Sequence, residues 1–345
     1  MHILITGATG RIGANLVRRL LPQGHTIRGF TYPGDASRAH KLDGFDNVDL
    51  VEGDLRDRAA VGRAVAGVDA IVHLAAAFGG PYDNVGYLEV NGLGTLHLLE
   101  AVRETVPDLK RFVYASTEAI YWSLSQKGRH FEKPVREEDV SSTHQMPYFL
   151  TKWIGEELCM NYHVQYGIPS VACRFATVFE PSEFLSEDGV PNFCALAGRI
   201  RQLEASDPDE AARLRNEYEN GARLLISRGP TGRTWKQEWA DVRDIAKGLA
   251  LALEEPKAVG ETFTLGGILT NWEEDVPKLA ERLRVGHAES RRETDNFFEF
   301  DHTKVDSLLG YQPDHDLWST LDTALAIREG KETDVIPTGI RYGTT

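Results

Sequence analysis

MHILITGATGRIG, residues 1–13, decides the fold. The apolar run at residues 3–5 predicts a buried strand, and Gly7, Gly10 and Gly13 follow it in a GxxGxxG spacing. The residues after Gly10 predict a helix whose free N–H groups and dipole face the glycine turn. This order of strand, glycine turn and helix is the context in which a glycine-rich segment binds a pyrophosphate. The opening residues therefore predict a dinucleotide site.

The same alternation of short apolar runs and helical stretches continues to about residue 176. It predicts the βαβ rhythm of a parallel sheet whose two faces are covered by helices. We therefore expect an α/β protein with a Rossmann-type, doubly wound parallel sheet of six or more strands. The predicted strands are residues 3–6, 26–30, 48–52, 70–74, 111–115 and 170–175, and the predicted helices are residues 12–21, 59–65, 87–104 and 148–166.

Beyond residue 176 this rhythm breaks, which predicts a smaller, discontinuous C-terminal domain that binds the substrate. Apolar residues at four-residue spacing predict a helix over residues 239–253, where the chain returns to the larger domain. The strongly charged residues 204–223 predict an exposed helical insertion, and a solvated surface helix is its simplest interpretation. The expected division is 1–176 plus about 237–267 for the dinucleotide-binding domain, about 177–236 plus 268–330 for the substrate-binding domain, and 331–345 for a loosely held tail.

The composition excludes several classes of function. Among 345 residues, 41% are hydrophobic and 26% are charged, which is ordinary for a globular protein. A net charge of −14 opposes binding to nucleic acid or to anionic lipid, so we expect neither a nucleic-acid nor a membrane partner. Cys159, Cys173 and Cys194 form no metal-ligand spacing, so no metal site is expected. The absence of a leader or a long apolar run predicts a cytoplasmic protein.

A second motif is the segment Tyr148-Phe149-Leu150-Thr151-Lys152. One helical turn separates Tyr148 from Lys152, so the ammonium and the phenol share a helix face and the positive charge favours the phenolate. A hydroxyl pair, Ser116 and Thr117, follows a predicted strand at the carboxyl edge, where open α/β sheets bind ligands. A dinucleotide, an activated phenol and a hydroxyl at one sheet edge indicate hydride chemistry.

With these motifs in this order, the chain resembles the extended short-chain dehydrogenase/reductase family of the NAD-dependent epimerase/dehydratase type. The resemblance is clearest over the first 180 residues and continues more weakly to about residue 267. It implies that Thr117, Tyr148 and Lys152 are catalytic. The cofactor-binding positions that it implies are Gly7, Thr9, Gly10, Arg11, Ile12, Gly13, Asp54, Leu55, Leu74, Ala75, Ala76, Asn91, Tyr148 and Lys152.

The mechanism implied by the resemblance requires few groups. Tyr148 takes a proton from a substrate hydroxyl while a hydride leaves the same carbon for the cofactor. Lys152 supports the phenolate and binds the nicotinamide ribose, and Thr117 holds the substrate oxygen. Ser116 is more simply a packing neighbour than a catalytic group.

One departure from the family leaves the cofactor open between NAD and NADP. Members that prefer NAD carry an acid at the end of the second strand to bind the adenosine ribose, and that position is Thr31 here. Nothing at Thr31 repels a 2′-phosphate, and Arg11 or Arg38 is available to neutralise one.

A second departure disfavours dehydration. The sugar-nucleotide 4,6-dehydratases of the family follow the catalytic threonine with an Asp-Glu pair, because elimination of water needs an acid and a base. Here Thr117 is followed by Glu118 and Ala119. Glu118 can replace the acid, but Ala119 cannot abstract a proton.

The residues expected to contact the substrate also depart from the family. Thr177 stands where nucleotide-sugar members grip the substrate diphosphate with an Asn, and Gln237 stands where they use an Arg. Lys236 or Arg233 could supply a replacement charge. With Glu118, these positions form the expected substrate set, and they favour a substrate without a nucleotide. Aromatic residues expected near the pocket, each of which core packing also explains, are Tyr121, Phe179, Trp235 and Trp239.

Two activities fit the sequence, and both act on a small molecule. The first is an NAD(P)-dependent oxidoreductase that acts on a secondary alcohol or ketone of a sugar-like or polyol substrate. The alternative is an epimerase of a sugar or nucleotide sugar that recycles its cofactor in place. A dinucleotide sensor without activity is disfavoured, because all three catalytic residue types are present. The resemblance also implies a homodimer through the helix at residues 87–104 and the helix that carries Trp153, Ile154, Leu158 and Cys159.

Overall fold

The computed structural model of the chain describes residues 1–123 and 129–337. In these residues the strands are β1 (His2–Thr6), β2 (Thr26–Thr31), β3 (Val48–Glu52), β4 (Ala70–His73), β5 (Arg111–Thr117), β6 (Arg129–His130), β7 (Ser170–Phe175), β8 (Thr177–Phe179), β9 (Ala222–Arg228), β10 (Lys236–Asp241), β11 (Thr262–Leu265), β12 (Ile268–Asn271), β13 (Gly286–Arg291) and β14 (Asn296–Phe297). The α-helices are α1 (Arg11–Leu20), α2 (Arg58–Val65), α3 (Asn84–Tyr87), α4 (Gly94–Thr105), α5 (Pro147–Tyr166), α6 (Pro181–Phe184), α7 (Leu196–Leu203), α8 (Pro208–Glu219), α9 (Val242–Glu254), α10 (Trp272–Leu283), α11 (Thr303–Leu309) and α12 (Leu317–Arg328).

Seven parallel strands form the large sheet, in the order β3-β2-β1-β4-β5-β7-β11. The strand order reverses between β1 and β4, and open α/β sheets bind ligands at such a point, outside the carboxyl ends of the strands. The predicted Rossmann-type fold is confirmed. Both the glycine turn after β1 and the end of β5 lie at this carboxyl edge.

Helices cover both faces of the large sheet, because successive strand residues point to opposite sides. Ile3 and Ile5 belong to the buried cluster that contains residues of α1 and α9, such as Leu16 and Leu249. Leu4, between them, belongs to the cluster on the other face, formed with residues of α2, α4 and α5. An apolar layer therefore packs against each face of the sheet and holds it rigid.

The smaller part of the protein contains two further sheets. One has the order β12-β10-β14-β6, with β8 also paired to β10, and the other pairs β9 with β13. The helix predicted over residues 239–253 is wrong at its start, because Trp239 and its neighbours pair with β8 as a strand. The side chain of Asp241 then accepts a hydrogen bond from the Arg243 N–H and caps α9. The return to the large sheet thus begins at Val242.

The charged segment at residues 204–223 contains α8, which begins after the capping side chain of Asp207. Ala211 and Leu214 are buried in a small apolar cluster with residues of α7 and β9, while most of the other α8 residues are exposed. The insertion is therefore a packed helix with a charged outer face.

Residues 334–336, in the segment expected to be a loosely held tail, contact the large domain. The Asn15 side chain accepts a hydrogen bond from the Ile336 N–H and donates one to its carbonyl, at 2.9 and 3.1 Å. Val335 is buried, and Asp334 pairs with Arg243. Residues 338–345 lie outside the described residues.

In the part of the chain that the structure describes, no helix is long and apolar enough to span a membrane. Within the same residues, no cluster of His, Cys, Asp and Glu side chains is arranged to hold a metal ion. The three cysteines are buried and form no disulfide.

Gly155 allows α5 to approach β5 closely, and this contact generates a prediction. A Cβ at Gly155 would lie 2.2 Å from the Tyr114 hydroxyl, so Gly155→Ala should lower the free energy of unfolding by about 1–3 kcal/mol. Gly62 in α2 has open space around its Cβ position, so Gly62→Ala should instead stabilise the helix by about 0.5–1 kcal/mol. Urea unfolding of both variants measures the difference. Equal effects would show that the approach of α5 to β5 is not tight.

Candidate active site

The glycine turn after β1 lies close to the backbone of the loop after β4. Gly7 has φ 71°, and a Cβ there would lie 3.1 Å from the Ala75 nitrogen. A Cβ at Gly13 would lie 2.2 Å from the Gly7 carbonyl oxygen. Gly10 caps α1 without a side-chain hydrogen bond, and the first turn of α1 has no acidic residue. The positive end of the α1 dipole therefore stays available to an anion.

A groove of about 220 Å³ runs along the carboxyl edge beside this turn. Its walls include seven of the residues that the resemblance implied for the cofactor: Gly7, Gly10, Asp54, Leu55, Leu74, Ala75 and Ala76. Eight further lining residues are Phe30, Tyr32, Asp35, Arg38, Gly53, Arg56, Tyr82 and Val90.

Three other residues of the glycine segment lie away from the groove walls. Thr9 is buried, and its carbonyl accepts a hydrogen bond from Lys41 Nζ at 3.2 Å. Ile12 packs against the core beneath α1. The Arg11 side chain pairs with Glu183 at 2.8 Å and donates to the Val178 carbonyl, so it links α1 to the smaller domain.

The end of β2 differs from the sequence expectation. Thr31 is buried, whereas Asp35, in the 3-10 segment Pro33–Leu42, lines the groove. Arg38 lies beside it, with 3.1 Å between the guanidinium and the Asp35 carboxylate. Sequence reasoning missed Asp35 because it considered only the last residue of the strand. The sequence feature that could have identified Asp35 is an acidic residue directly after Pro33-Gly34.

Asp54 and Arg56 form a pair at another wall of the groove. Arg56 Nη2 lies 2.6 Å from Asp54 Oδ2, and hydrogen bonds from Arg56 hold the pKa of Asp54 below its ordinary value. Asp54 therefore stays ionised at neutral pH and presents an acceptor to the groove.

The loop after β4 is held by buried polar side chains. Thr6 Oγ1 accepts hydrogen bonds from the N–H groups of Leu74 and Ala75, at 3.1 and 3.0 Å. The ring of His73 lies 2.7 Å from Thr6 Oγ1 and 3.0 Å from Thr95 Oγ1, and burial lowers its pKa well below the ordinary value. His73 is thus neutral, and the backbone of this groove wall is rigid.

Asn91 lies in the π-helical segment Leu88–Leu93 and is buried. Its side chain accepts a hydrogen bond from the Ala77 N–H at 2.7 Å and donates to the Ala77 carbonyl and to Thr151 Oγ1. It therefore ties the loop after β4 to α5.

Tyr148 and Lys152 lie in the first two turns of α5, which begins with Pro147. The half-buried Tyr148 ring contacts the exposed ring of Phe78, with 4.9 Å between the centroids. Lys152 is 2% exposed, and its ammonium lies 4.3 Å from the centroid of the Tyr114 ring in β5. Burial lowers the pKa of Lys152 to about 7.

Thr117 ends β5, and its Oγ1 accepts a hydrogen bond from the Ala119 N–H at 3.2 Å. Ser116, one residue earlier, is buried, and its hydroxyl has no hydrogen-bond partner among the described residues. Glu118 is also buried, and its Oε1 accepts a hydrogen bond from Thr177 Oγ1 at 2.7 Å. This bond joins the end of β5 to β8 of the smaller domain.

A second cavity, of about 360 Å³, is lined by Thr177 and by residues of the smaller part of the protein. Gln237 lines it and accepts a hydrogen bond from the side chain of Asn296. Tyr121 has the core-packing role that the sequence also allowed, and its hydroxyl contacts Thr264 and Arg174. The residues that line this cavity are Thr177, Phe179, Glu183, Asn192, Phe193, Trp235, Gln237, Trp239, Trp272 and Asn296.

Sequence reasoning missed several of these residues. Phe193, Trp272 and Asn296 come from separate segments that no local pattern connects, so only the fold brings them together. Phe78 follows the predicted strand end by few residues, but an exposed aromatic in a loop carries no spacing signal.

Comparison with known proteins gives consistent results. The family model for the NAD dependent epimerase/dehydratase family matches residues 3–266. A dTDP-glucose 4,6-dehydratase from Streptomyces niveus is 27% identical over 339 residues, which cover 91% of this chain and 88% of that protein. A probable UDP-glucuronate 4-epimerase from Rhizobium meliloti (strain 1021) is 33% identical over 196 residues, 52% of this chain and 54% of its own.

The crystal structure of a short-chain dehydrogenase/reductase superfamily protein from Agrobacterium tumefaciens, with bound NAD, superposes with a TM-score of 0.80. The two proteins are 28% identical, and the match covers 96% of this chain and 98% of the other. The family model spans well over half of the sequence, and the resemblance stated from the motifs is confirmed. The chain is therefore an enzyme of the NAD dependent epimerase/dehydratase family.

Proposed function

We propose that the protein is an NAD-dependent oxidoreductase that transfers a hydride at a secondary alcohol or ketone of a sugar-like substrate. Thr117, Tyr148 and Lys152 are its catalytic residues. The observation that carries the proposal is the burial of Lys152 one helical turn from Tyr148, at the carboxyl edge that borders the groove. Lys152 has no ion pair among the described residues, and a buried lysine of this kind is costly; such groups cluster at functional sites.

The groove suits a dinucleotide. The Gly7 position leaves no room for a Cβ, and the free N–H groups of α1 face the same turn, so backbone and pyrophosphate can approach closely. Asp35 supports NAD over NADP, because its carboxylate accepts hydrogen bonds from ribose hydroxyls and repels a 2′-phosphate. Arg38 is already paired with Asp35, which leaves less positive charge for a phosphate. Arg11 is engaged by Glu183.

The catalytic residues then have separate tasks. Tyr148 accepts the proton of the substrate hydroxyl as the carbinol becomes a ketone, and it returns the proton in the reverse direction. In its ammonium form, Lys152 stabilises the phenolate, and Thr117 donates a hydrogen bond to the substrate oxygen. A dinucleotide held at the glycine turn and Asp35 would supply the hydride acceptor and donor. Asn91 positions α5 against the loop after β4 and does not touch the reacting atoms.

Epimerisation is the second candidate, because the Rhizobium meliloti relative is named as an epimerase. An epimerase needs the same three groups, but it returns the hydride to the other face of the ketone before cofactor leaves. Dehydration is disfavoured despite the name of the Streptomyces niveus relative, since Ala119 supplies no base beside Glu118.

The proposal predicts that Tyr148→Phe loses turnover and keeps its cofactor. Without the phenol, the rate should fall about 100- to 10,000-fold, while the groove is unchanged. The measurements are turnover on a panel of sugars and polyols with both cofactors, and mass spectrometry of any dinucleotide released on denaturation. Unchanged turnover in the variant would refute the assignment of Tyr148.

The released dinucleotide also separates the alternatives. Wild-type protein that releases stoichiometric NAD supports the epimerase, since its cofactor is recycled in place. An empty site and net NAD reduction support the oxidoreductase. Release of NADP would contradict the role assigned to Asp35.

The buried Lys152 predicts a pH-dependent stability. Above about pH 7 the folded apoprotein carries a neutral amine, because burial lowers the pKa of Lys152 to about 7, whereas the unfolded chain keeps the ammonium to about pH 10. Folding then releases a proton. The free energy of unfolding of the wild type therefore rises by about 1.4 kcal/mol per pH unit relative to that of Lys152→Met. The variant should be the more stable protein at pH 6, and its advantage should shrink from pH 7 to 9.5.

Urea unfolding of the apoproteins across this range measures the slope. Lys278→Met, at an exposed position in α10, is the control for the loss of a lysine. A pH-independent difference for Lys152→Met would mean that the ammonium stays charged in the folded protein.

We also propose a homodimer formed by α5 and the segment from α3 to α4, which pack side by side. Of the residues expected at this contact, Cys159 is buried in the core and Trp153 contacts His144, so both serve the protomer itself. Other apolar side chains on these elements are exposed and support the contact: Val85, Leu88, Leu93, Leu150 and Val164.

A charge in this face should separate the protomers. Leu150→Glu buries an unpaired carboxylate in the proposed contact, so light scattering should detect a monomer. Leu269→Glu, at an exposed leucine of β12, is the matched control and should leave the mass unchanged. A monomeric wild type would refute the dimer.

A cytoplasmic location is part of the same proposal, supported by three buried cysteines without a disulfide.

A further inference from the structure

We infer that a third cavity, a cleft of about 650 Å³ between the charged insertion and β13, binds the phosphate group of a small molecule. None of the described residues that line this cleft belongs to the groove at the glycine turn or to the cavity beside Thr177. The inference therefore goes beyond the proposed function and does not depend on it.

The insertion at residues 204–223 supplies one part of the cleft. Asp207, which caps α8, and Glu210 and Arg213 of α8 line it, and residues 289–291 of β13 line another part. An apolar cluster joins α8 to α7, β9 and β13. The packing of this cluster holds the elements that carry the charges in place.

The acidic residues of the cleft have partners of their own. Arg213 pairs with Glu210 at 2.6 Å, and Arg228 pairs with Glu289 at 3.2 Å. The hydrogen bonds from Arg213 hold the pKa of Glu210 below its ordinary value. The side chain of Asp207 accepts a hydrogen bond from the Glu210 N–H at the start of α8. These pairs leave two further arginines of the cleft unmatched.

The unmatched residues are Arg199 of α7 and Arg291 of β13, which form no ion pair among the described residues. Arg199 is half-buried, and its Nη2 donates a hydrogen bond to the main-chain carbonyl of Arg291 at 2.8 Å. This bond places the two residues side by side. The cleft has four arginines against three acidic residues, although the whole chain has a net charge of −14. It is therefore a positive site on an acidic protein.

Arg292 adds positive charge behind the cleft. It is half-buried, and the acceptors of its hydrogen bonds among the described residues are neutral: Ser227 Oγ and Gln202 Oε1. Burial and repulsion by Arg199 lower the pKa of Arg292 to about 10. Two partly desolvated guanidinium groups thus lie close together without a counter-ion. An anion in contact with Arg199 would offset this repulsion.

A phosphate group fits this arrangement better than other anions do. Guanidinium groups present their N–H donors in a planar fork that matches two phosphate oxygens, and the terminal oxygens of a phosphomonoester can contact two arginines at once. The acidic residues around Arg199 and Arg291 repel an extended polyanion. The site therefore suits a single phosphate group and not a polyphosphate or a nucleic acid.

Titration calorimetry on the full chain saturated with NAD tests this inference. NAD occupies the glycine turn, so a phosphate probe is kept from binding there. The probes are glycerol 3-phosphate and inorganic phosphate, with glycerol as the neutral control. Both phosphates should bind and glycerol should not. Their affinity should fall with added salt, and it should rise from about pH 5 to pH 7.5 as the phosphate loses its second proton.

Variants locate the binding. Arg199→Gln and Arg291→Gln should each weaken the binding of glycerol 3-phosphate about 10-fold or more, because each removes a charge-assisted hydrogen bond. Arg201→Gln removes the same charge from α7 outside the cleft, so it should bind as the wild type does. Arg291 is exposed, so Arg291→Gln remains a valid test if Arg199→Gln unfolds.

Three outcomes overturn the inference. The first is no binding of either phosphate, and the second is binding that neither Arg199→Gln nor Arg291→Gln weakens. The third is an equal loss in Arg201→Gln, which would show attraction by net charge alone. None of these readouts uses turnover. A protein that binds phosphate in the cleft but never transfers a hydride would refute the proposed function alone, and hydride transfer without phosphate binding would refute this inference alone.

Discussion

The close contact of α5 with β5 at Gly155 is the constraint on which the positions of Tyr148 and Lys152 depend. Because residue 155 has no side chain, the Tyr114 hydroxyl reaches the Lys152 carbonyl and donates a hydrogen bond at 3.2 Å. The same approach puts the Lys152 ammonium against the Tyr114 ring, away from water. A wider spacing would admit water, raise the pKa of the ammonium and free its orientation.

Two further contacts prevent α5 from sliding along the sheet. Arg174 of β7 pairs with Glu156 of α5 at 2.6 Å, and both side chains are buried. Asn91 holds Thr151 from the other side of the helix. A buried ion pair adds little net stability, but removing one partner leaves a buried charge, so the register of α5 is strongly determined. The start of α5, with Tyr148, is therefore positioned by contacts well beyond the active site.

The sequence predicts the large sheet and its helices closely because two periodicities apply there throughout. The strand predicted over residues 111–115 is Arg111–Thr117, and the helix predicted over residues 148–166 is Pro147–Tyr166. Where periodicity is ambiguous, prediction fails. Trp239 fits the four-residue spacing of α9, but tertiary pairing with β8 makes it part of a strand, and the Asp241 cap decides where the helix starts.

The candidate site likewise contains some residues that the sequence predicts and others that it does not. The glycine turn, Tyr148 and Lys152 follow from local spacing, because backbone geometry and one helical turn determine their positions. A search for an acid at the last residue of β2 misses Asp35, because the chain reaches the groove through the 3-10 segment that follows. The wall formed by Phe193, Trp272 and Asn296 has no sequence signature, because three distant segments meet only in the folded protein.

The two parts of the candidate site tolerate substitutions to different extents. The proposed dinucleotide site consists largely of backbone, and a side chain at Gly7 or Gly13 would collide with neighbouring backbone atoms, so this end of the site tolerates little change. The cavity proposed for the substrate is built from side chains of the smaller part of the protein, where Gln237 in place of an Arg removes a positive charge within β10, a strand that pairs with β8. Under the proposed function, hydride chemistry therefore persists while the group attached to the carbinol changes.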